Sequence, residues 1–429
     1  MEDLRGKRLL LLGGSYCSDA LRKFGDEYGV TLVAAGNDPT AAVCAAADEY
    51  YNVNSTDIPA MKKLISQKKI DGVYLGSSEP VIGAALSYVP ECGFPCYCNK
   101  DQWESIQNKG KLKELFIKFG LPVAKRYTLD ESLSGCENQN IRFPVITKPA
   151  DGCGSSGFTV CRNADELKRG YLKARENSAS GEVIVEDFVK NTGVVAFFSF
   201  SGGEPVFLGV EDKYPRIFTE NGSYVAGLLV FRSRFTDEFK ERFWDKLKKM
   251  FRSIGLSEGT VWIEVFHDGD DYYFNEAGYR YCGSGTVYPI DYISGVNQVY
   301  ADMYYALTGK SLLRGFTSLV PAAYSGRKYY CVYPLYVNAG TIGKISGIKE
   351  LEKTENIVKI IVTKHEGQEI AETGGFSQNF CLVHFVFDTA EELKSTIDTV
   401  HRTLSVKDEA GKNLLTEPMN IDDAVVCAG

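Results

Sequence analysis

The segment Val261-Trp-Ile-Glu-Val-Phe-His-Asp-Gly-Asp-Asp-Tyr-Tyr-Phe-Asn-Glu276 is the most informative part of the sequence, because two runs rich in Val, Ile, Phe and Tyr flank a polar turn. This pattern predicts a β-hairpin. If the turn centres near Gly269 and Asp270, residues whose numbers sum to about 540 face each other across the ladder, so Glu264 is expected opposite Glu276. Two opposed carboxylates repel each other. A Mg²⁺ ion, commonly held by one or two carboxylates and phosphate oxygens, would offset that repulsion.

Arg280 follows four residues after Glu276 and is close enough in sequence to meet an anion held by such a metal. The alternative is a solvated hairpin face that carries two ordinary surface acids. Three further segments bear on the choice between these two interpretations.

The composition limits the class of protein. The chain has 429 residues, of which 44% are hydrophobic and 24% charged, and this length predicts two or three packed units. A net charge of −8 without a long basic run argues against a nucleic-acid partner. The run Leu9 to Leu12 is too short for a signal peptide or a membrane span, so no membrane partner is expected. Twelve scattered cysteines and four histidines do not form a zinc pattern, which favours a cytoplasmic protein with reduced thiols.

The order of strand and helix patterns predicts a mixed α/β and α+β fold. Residues 1 to about 100 alternate strand and helix patterns, which indicates a parallel βαβ sheet. Gly13-Gly14-Ser15 lacks the spacing of a dinucleotide-binding loop and predicts a tight turn. One helix is expected from about Gln102 to Phe119, and the strand that begins at Pro205 is expected to end at Glu211. The region after about Lys310 has β patterns and a final helix, typical of an α+β unit.

A glycine-rich loop follows the strand Val145-Ile-Thr-Lys148 and comprises Gly152, Gly154, Ser155, Ser156 and Gly157. Glycines let the backbone approach a phosphate chain, and small serine side chains leave the N–H groups exposed. The loop does not have the Walker pattern, because the lysine precedes the glycines and no helix follows directly. A plain hairpin connection is the alternative.

The segment Val183-Ile-Val-Glu186-Asp187-Phe188-Val189 runs from an apolar strand into two acids and back to apolar residues. Backbone groups of such a linker can pair with the edge of an adenine base while apolar side chains cover its faces. The alternative is a core strand with exposed acids.

Lys109 lies eleven positions before Gly120-Leu-Pro122. Because Lys111 and Lys113 lie beside it, a solvated basic helix face is the common explanation for this lysine.

Taken together in chain order, five features resemble the ATP-grasp family over about residues 5 to 400. They are the leading βαβ domain, Lys109 before Gly-Leu-Pro, Lys148-Pro before the glycine-rich loop, the segment at Glu186, and the Glu264/Glu276–Arg280 hairpin. The resemblance implies three domains, and these are a Rossmann-like pre-ATP-grasp domain (1–101), an ATP-grasp domain (102–310, with lobes of about 102–185 and 186–310) and a C-terminal α+β domain (311–429). The last part looks like that of the biotin-carboxylase and amino-acid-ligase branch.

The resemblance also implies ATP and Mg²⁺, with Mn²⁺ as an alternative, as cofactors. Lys109 and Lys148 would contact the phosphates, and the loop 152–157 would fold over them. The segment Glu186–Val189 would hold adenine. Glu264 and Glu276 would bind the metal, and Arg280 would stabilise the transferred phosphoryl group.

Several positions depart from or extend the family pattern. Many relatives have a ribose-binding acid at the position of Gly193, and Asp187 is the candidate substitute. Relatives often have Asn where this chain has Gly278. Asp212-Lys213 resembles a pair that some relatives direct into the active site, so Lys213 is expected to contact substrate or phosphate, with a surface pair as the alternative. Cys282-Gly-Ser-Gly285 would line the acceptor pocket or form a tight turn.

The implied activity is that of an ATP-dependent carboxylate–amine ligase. It would form an amide through an acyl phosphate and release ADP and phosphate. The implied partners are a small-molecule carboxylate and an amine, and a homodimer is one option because relatives are often dimeric. The alternatives are a small-molecule kinase, a bicarbonate-dependent carboxylase or carbamoyl-phosphate-type enzyme, and an ATP-binding sensor or scaffold subunit.

Overall fold

The computed structural model describes residues 1–13, 16–129, 141–150, 157–189, 192–217, 224–269 and 271–421. Their main strands form a parallel sheet of four strands, an antiparallel sheet of four and an antiparallel sheet of eight. This architecture confirms the predicted mixed α/β and α+β fold class. None of the helices in these ranges combines the length and the apolar composition that a bilayer crossing requires.

The N-terminal unit is a parallel sheet with alternating helices, as the βαβ pattern predicts. Its elements are β1 (Arg8–Leu11), α1 (Ser18–Tyr28), β2 (Thr31–Gly36), α2 (Ala42–Ala46), β3 (Glu49–Asn52), α3 (Ile58–Gln67), β4 (Gly72–Tyr74) and α4 (Glu79–Tyr88). The strand order is β3-β2-β1-β4. Of the predicted turn at Gly13-Gly14-Ser15, the last two residues lie outside the described ranges.

Two helices and a small antiparallel sheet follow. The elements are α5 (Lys100–Gln107), α6 (Lys109–Lys118), β5 (Arg126–Tyr127), β6 (Val145–Pro149), β7 (Thr159–Cys161), α7 (Ala164–Glu176) and β8 (Val183–Asp187). The strand order is β5-β8-β6-β7. Lys148 therefore lies on an inner strand, and β6 and β7 pair as the two arms of a hairpin around the glycine-rich loop.

The sheet of eight strands is built from segments that follow β8 in the chain. Its central part contains β9 (Thr192–Ser201), β10 (Glu204–Ile217), β11 (Tyr224–Phe231), α8 (Thr236–Ile254), β12 (Thr260–Asp268), β13 (Asp271–Gly278), α9 (Val287–Ser294) and α10 (Gln298–Thr308). One face packs on α8 and the other on α9 and α10. Alternate residues of β9 supply these faces, as the period of a strand requires.

The C-terminal elements extend this sheet. They are β14 (Tyr329–Tyr336), β15 (Gly340–Thr341), β16 (Lys344–Ser346), α11 (Ile348–Leu351), β17 (Ile357–Val362), β18 (Glu369–Ile370), β19 (Asn379–Phe387), α12 (Ala390–Thr403) and β20 (Ser405–Lys407). The order of the eight strands is β13-β12-β9-β10-β11-β14-β19-β17. Residues on both sides of position 310 therefore share one sheet.

The predicted single helix over 102–119 is wrong, because α5 and α6 are separate helices that meet at Asn108. The backbone of Asn108 is extended (ψ 111°), and its Oδ1 accepts a hydrogen bond of 3.0 Å from the Lys111 N–H. Asparagine is a preferred N-cap, so it ends α5 and begins α6. Lys109 consequently occupies the first position of a helix.

The predicted end of a strand at Glu211 is also wrong. Strand β10 continues to Ile217, so the Asp212-Lys213 pair lies inside it. Asp212 is buried and accepts a hydrogen bond of 2.5 Å from the Ser233 hydroxyl, which satisfies this acid on one face of the sheet. Lys213 points to the opposite face, because successive side chains of a strand alternate.

The hairpin of β12 and β13 has the predicted register, with Glu264 opposite Glu276. The turn alone would not give this pairing. Asp268 pairs with Asp271, and a regular ladder from that pair would bring Asn275 opposite Glu264. A one-residue bulge makes Asn275 the extra residue and brings Glu276 into register.

The open end of the hairpin explains why position 278 is glycine. Gly278 lies opposite Trp262, and a Cβ at residue 278 would be 2.5 Å from the indole Nε1. The indole in turn lies under the Arg280 guanidinium, 5.4 Å from its carbon to the ring centroid. The side chain of Trp262 thus fills the space that an asparagine at 278 would need.

We expect Gly278→Ala to lower the free energy of unfolding by about 1–3 kcal/mol, because an added methyl group overpacks the indole. Gly283→Ala is the matched control, since a Cβ there meets nothing within 4 Å. Urea unfolding of the two variants and the parent measures the difference. Equal midpoints for both variants would contradict this account of the packing.

Candidate active site

The two hairpin carboxylates lie in different electrostatic environments. Glu264 is 6% exposed and accepts hydrogen bonds from Lys213 and, at 2.8 Å, from the Asn275 amide. Burial alone would raise the pKa of Glu264, but the Lys213 charge outweighs it and the pKa is lowered. Burial and the charge of Glu264 raise the pKa of Glu276. One carboxylate is neutralised, and the other is left with excess negative charge.

Lys213 reaches Glu264 across a strand that lies between them. In the ladder Lys213 is opposite Gly193 of β9, whereas Glu264 is opposite Val195 of the same strand. The ammonium must therefore cross β9 diagonally, and glycine at 193 leaves its path open. The ribose-binding acid that many relatives have at this position would lie in that path. Glycine at 193 therefore goes together with the Lys213–Glu264 ion pair.

The donor set fits a hard dication. Glu264 and Glu276 offer oxygen atoms on opposed strands, and Glu276 has no hydrogen-bond partner among the described residues. The described ranges contain no group of three or more His, Cys, Asp or Glu arranged for a metal. Mg²⁺ needs only one or two protein carboxylates when phosphate oxygens complete its shell, so two suffice.

A second charge cluster faces the hairpin from the small sheet. Lys148 and Lys113 both bind Glu186, the latter at 2.5 Å, and Lys148 Nζ lies 3.4 Å from the Asn275 Oδ1 of the hairpin. Burial would raise the pKa of Glu186, but the two ammonium groups outweigh it and lower the pKa to about 2. Burial lowers the pKa of Lys113 despite this partner. Lys148 of β6 and the acidic hairpin of β12 and β13 therefore share one cleft.

The lysines of α6 differ in their surroundings. Lys109 is near enough to Glu276 for its charge to oppose the rise in the pKa of that carboxyl. Lys113 lies one turn further along the same helix and faces the cleft, whereas Lys111 forms an exposed ion pair with Glu104. Of the three lysines at positions 109, 111 and 113, Lys111 is the one that fits the interpretation as a solvated basic helix face.

Several polar groups of the segment Glu186–Val189, which is proposed to hold adenine, already form hydrogen bonds within the protein. The Asp187 N–H donates to the Lys125 carbonyl oxygen at 2.9 Å, and the Phe188 N–H donates to that of Pro144 at 3.1 Å. The Asp187 carboxylate accepts from the Tyr127 hydroxyl. The N–H groups of Asp187 and Phe188 are therefore already used within the fold. An adenine base would have to pair with other backbone groups of the segment, which ends at the half-buried Val189.

Most of the predicted phosphate loop, including Gly152, Gly154, Ser155 and Ser156, lies outside the described ranges. Gly157 is described and has φ +75°. A Cβ there would lie 3.0 Å from Pro149 and 2.9 Å from Asn177. Close packing at the end of the loop therefore requires this glycine.

Arg280 lies at the rim of the cleft. Its Nη2 is 2.5 Å from Glu79 Oε1 in the N-terminal unit, and Nη1 donates to the Tyr281 carbonyl oxygen at 2.7 Å. Two residues later, burial and the nearby Glu211 carboxyl raise the pKa of the Cys282 thiol to about 12. Arg280, Cys282 and Lys213 therefore surround one end of the cleft, opposite the Lys148–Glu186 cluster.

Comparison with known proteins identifies relatives of this arrangement. Residues 109–196 match the family model for the ATP-binding domain of the carbamoyl-phosphate synthase L chain. The chain is 31% identical over 236 residues to an uncharacterised protein of Sinorhizobium fredii, covering 52% of this chain and 46% of that protein. It is 23% identical to the carbamoyl phosphate synthase large chain of Clostridium perfringens, covering 66% and 26%. The chain thus spans less than half the length of these two relatives.

Two solved structures share the fold across nearly the whole chain. The L-amino acid ligase from Bacillus licheniformis has a TM-score of 0.72 at 16% identity, covering 94% of this chain and 99% of that one. The biotin carboxylase domain of Hydrogenobacter thermophilus 2-oxoglutarate carboxylase has a TM-score of 0.73 at 18% identity, covering 94% and 90%. The chain belongs to the ATP-grasp superfamily. The segment that matches the family model contains Lys109, Lys148 and Glu186.

Three residues of the cleft were not among the predicted site residues. Lys113 could have been predicted from the sequence, because it lies four residues after Lys109 and residues at i and i+4 share one face of a helix. Asn275 enters the site through a bulge that leaves no mark in the sequence. Glu79 opens a helix in a different unit from Arg280, so only the three-dimensional fold brings the two together.

We expect Glu186→Gln to lower the free energy of unfolding by about 3 kcal/mol at pH 7, from the depression of its pKa from 4.5 to about 2. A depressed pKa stabilises the fold above the unfolded-state pKa, and that contribution is lost as the pH falls toward about 2. The difference between parent and variant should therefore shrink between pH 5 and pH 3 in urea unfolding.

Glu104→Gln is the control, because its ion pair with Lys111 is exposed and is expected to contribute less than about 1 kcal/mol. A Glu186→Gln difference that is the same at pH 7 and at pH 3 would contradict the ionic origin of the stabilisation.

Proposed function

We propose that the protein is an ATP-dependent carboxylate–amine ligase. The observation that carries the proposal is the shared cleft, in which Lys148 of the small sheet meets Asn275 of the acidic hairpin. Phosphoryl transfer needs positioning and charge neutralisation rather than a covalent protein group. Lysines, an arginine and paired carboxylates are the groups that meet in this cleft.

The residues divide into two sets. Lys109, Lys113 and Lys148 would face the nucleotide phosphates, with the segment at Glu186 toward the base. Glu264 and Glu276 would hold Mg²⁺, which, when bound, supplies positive charge between phosphate oxygens. Lys148 is then expected to exchange its bond with Glu186 in part for phosphate oxygens.

The acceptor end of the cleft contains Lys213 and Arg280. An oxygen of the substrate carboxylate would attack the γ-phosphorus of ATP, the bond to the bridging oxygen would break, and ADP would leave. The amine nitrogen would then bond to the acyl carbon as its C–O bond to phosphate breaks. Phosphate departs with that electron pair, and the protons lost by the amine pass to solvent. Lys213 and Arg280 would stabilise the charge on the transferring group.

The fold relatives support this class without naming the substrates. One of them is an L-amino acid ligase, and another was solved with MgADP, ADP and bicarbonate. The amide-forming reaction is the one we propose here. If the protein turned over with bicarbonate, a carboxylase activity would replace this proposal. If it phosphorylated a substrate without ligation, a kinase activity would replace it.

We expect Glu276→Gln and Lys148→Met each to lower the rate of ADP release by roughly 10²–10³, the usual cost of one charge contact in the transition state. The assay supplies Mg-ATP with carboxylates and amines, singly and in pairs. Exposed residues supply the controls Glu182→Gln and Lys111→Met, which should keep the parent rate.

The product pattern decides between activities. ADP that appears only with a carboxylate–amine pair, together with an amide product, supports ligation. ADP formed with a single compound and a stable phosphate ester would identify a kinase, and bicarbonate dependence would identify a carboxylase. A folded Glu276→Gln variant with full Mg-dependent activity would disprove the metal assignment.

A further inference from the structure

Two cysteines one residue apart lie in the segment that joins the N-terminal unit to α5. Cys96 and Cys98 flank Tyr97, where the backbone bends, and both are free thiols. In an extended chain their Cα atoms would be about 7 Å apart, whereas a disulfide needs roughly 4.4–6.8 Å. The bend at Tyr97 shortens this separation. The local geometry therefore places two thiols within reach of each other.

The two thiols of this pair differ in acidity and in exposure. The thiol and the backbone N–H of Cys98 both donate hydrogen bonds to the Cys96 sulfur, and the thiol bond in particular lowers the pKa of Cys96 against the effect of burial. Burial and then the same thiol bond raise the pKa of Cys98. Cys96 is half-buried, whereas Cys98 is 4% exposed. Cys96 is therefore the thiol that ionises more readily and that an oxidant reaches first.

Two other half-buried cysteines serve for comparison. Cys92 lies four residues before Cys96, and Cys44 lies in α2 of the N-terminal unit. Burial raises the pKa of each of these thiols. Partial exposure alone therefore does not distinguish Cys96, and the hydrogen bonds from Cys98 do.

Tyr97 connects the cysteine pair to the hairpin of β12 and β13. Its hydroxyl donates to the Tyr279 carbonyl oxygen at 3.0 Å, and the Tyr279 hydroxyl donates to the Tyr97 carbonyl oxygen at 3.1 Å. The two rings are in edge contact, with centroids 5.2 Å apart. Gly259 lies against the same ring, since a Cβ there would be 2.7 Å from the Tyr97 Cδ2. Because Tyr279 directly precedes Arg280, a change at Tyr97 reaches the end of the hairpin.

The chain that follows Cys98 is held in one conformation. Asn99 caps α5, because its Oδ1 accepts a hydrogen bond of 2.9 Å from the Gln102 N–H and its own N–H donates to the Gln102 Oε1 at 3.0 Å. Such a reciprocal capping box fixes the start of a helix. A disulfide ring closed across Cys96 and Cys98 would therefore change the backbone mainly at Tyr97.

We propose that Cys96 and Cys98 form a reversible redox site, in which oxidation to a disulfide shifts Tyr97 and weakens its hydrogen bonds with Tyr279. This site goes beyond the proposed ligase function and does not depend on it. Where a compartment keeps thiols reduced, a disulfide of this kind is transient.

The oxidant is a small disulfide such as oxidised glutathione. The Cys96 thiolate attacks one sulfur of the oxidant, whose S–S bond breaks and releases one glutathione thiolate. Cys98 then loses its proton and attacks the Cys96 sulfur of the mixed disulfide, and the second glutathione leaves as a thiolate. The protein gives up two electrons and two protons, and the oxidant is reduced to two thiols.

The test treats the native protein with oxidised glutathione and then blocks the remaining thiols with N-ethylmaleimide under denaturing conditions. The mass of the tryptic peptide 70–100 is the readout, because this peptide contains Cys92, Cys96 and Cys98 and no other cysteine. We expect one label instead of three on this peptide, with no glutathione retained. Dithiothreitol should restore all three labels. Three labels after the oxidant would overturn the redox site.

Three variants assign the partners. Cys98→Ser should stop at the mixed disulfide, so that its peptide retains one glutathione on Cys96, and Cys96→Ser should leave Cys98 unmodified. Cys92→Ser is the matched control and should form the same disulfide as the parent. A parent that retains glutathione, or a disulfide that disappears in Cys92→Ser, would also overturn the assignment.

Hydrogen exchange measures the effect on the hairpin. In the oxidised parent we expect the backbone amides of residues 272–281 to exchange roughly 3- to 10-fold faster than in the reduced parent, the equivalent of losing one hydrogen bond. Tyr97→Phe keeps the ring and lacks the hydroxyl, so it should exchange faster already when reduced and change less on oxidation. Helix α12 should be unaffected and serves as the internal control. Equal exchange of residues 272–281 in the oxidised and reduced parent would overturn the coupling to the hairpin.

Discussion

Two carboxylates face each other at the centre of the cleft, in surroundings that exclude most of the water. Lys213 and Asn275 both donate hydrogen bonds to Glu264, whereas burial and the charge of Glu264 raise the pKa of Glu276. Charge interactions are stronger in such a site than in solvent. The cleft is therefore short of positive charge at one defined place, and a bound dication would supply the charge that the protein side chains do not.

The surrounding elements follow from this constraint. Lys213 reaches Glu264 only because β9 has a glycine at position 193, and Asn275 reaches it only because a bulge turns an extra residue toward it. Lys148 comes from a separate sheet and meets the hairpin through the same asparagine. Removing one member of a buried ion pair leaves its partner uncompensated, so the geometry of the cleft and the stability of the fold depend on the same contacts.

The features of the cleft that depend on residues close together in the chain could be predicted from the sequence. Period-two patterning gave the hairpin, and the acid pair followed from the position of its turn. The bulge, however, was invisible. The count to a sum of about 540 gave the Glu264–Glu276 pair without it, whereas a regular ladder from the observed Asp268–Asp271 pair would place Asn275 opposite Glu264. The helix break at Asn108 had a local signal, an N-cap residue, which the apolar pattern across it concealed. Long-range pairs such as Glu79 with Arg280 have no local signal, because residues far apart in sequence meet only through the packing of whole units.

The two ends of the cleft differ in the way their charges are balanced. At the end formed by α6 and β6, Lys113 and Lys148 share a single acid, Glu186, and this surplus of cations suits a polyphosphate. At the other end, Asp19 and Glu79 of the N-terminal unit each have their own cation. A polyphosphate would gain little there, because a carboxylate lies beside each of these two positive groups. The charge that the proposed phosphoryl transfer requires would therefore come from the hairpin and the small sheet, whereas the acids at the helix starts of the N-terminal unit balance the cations beside them.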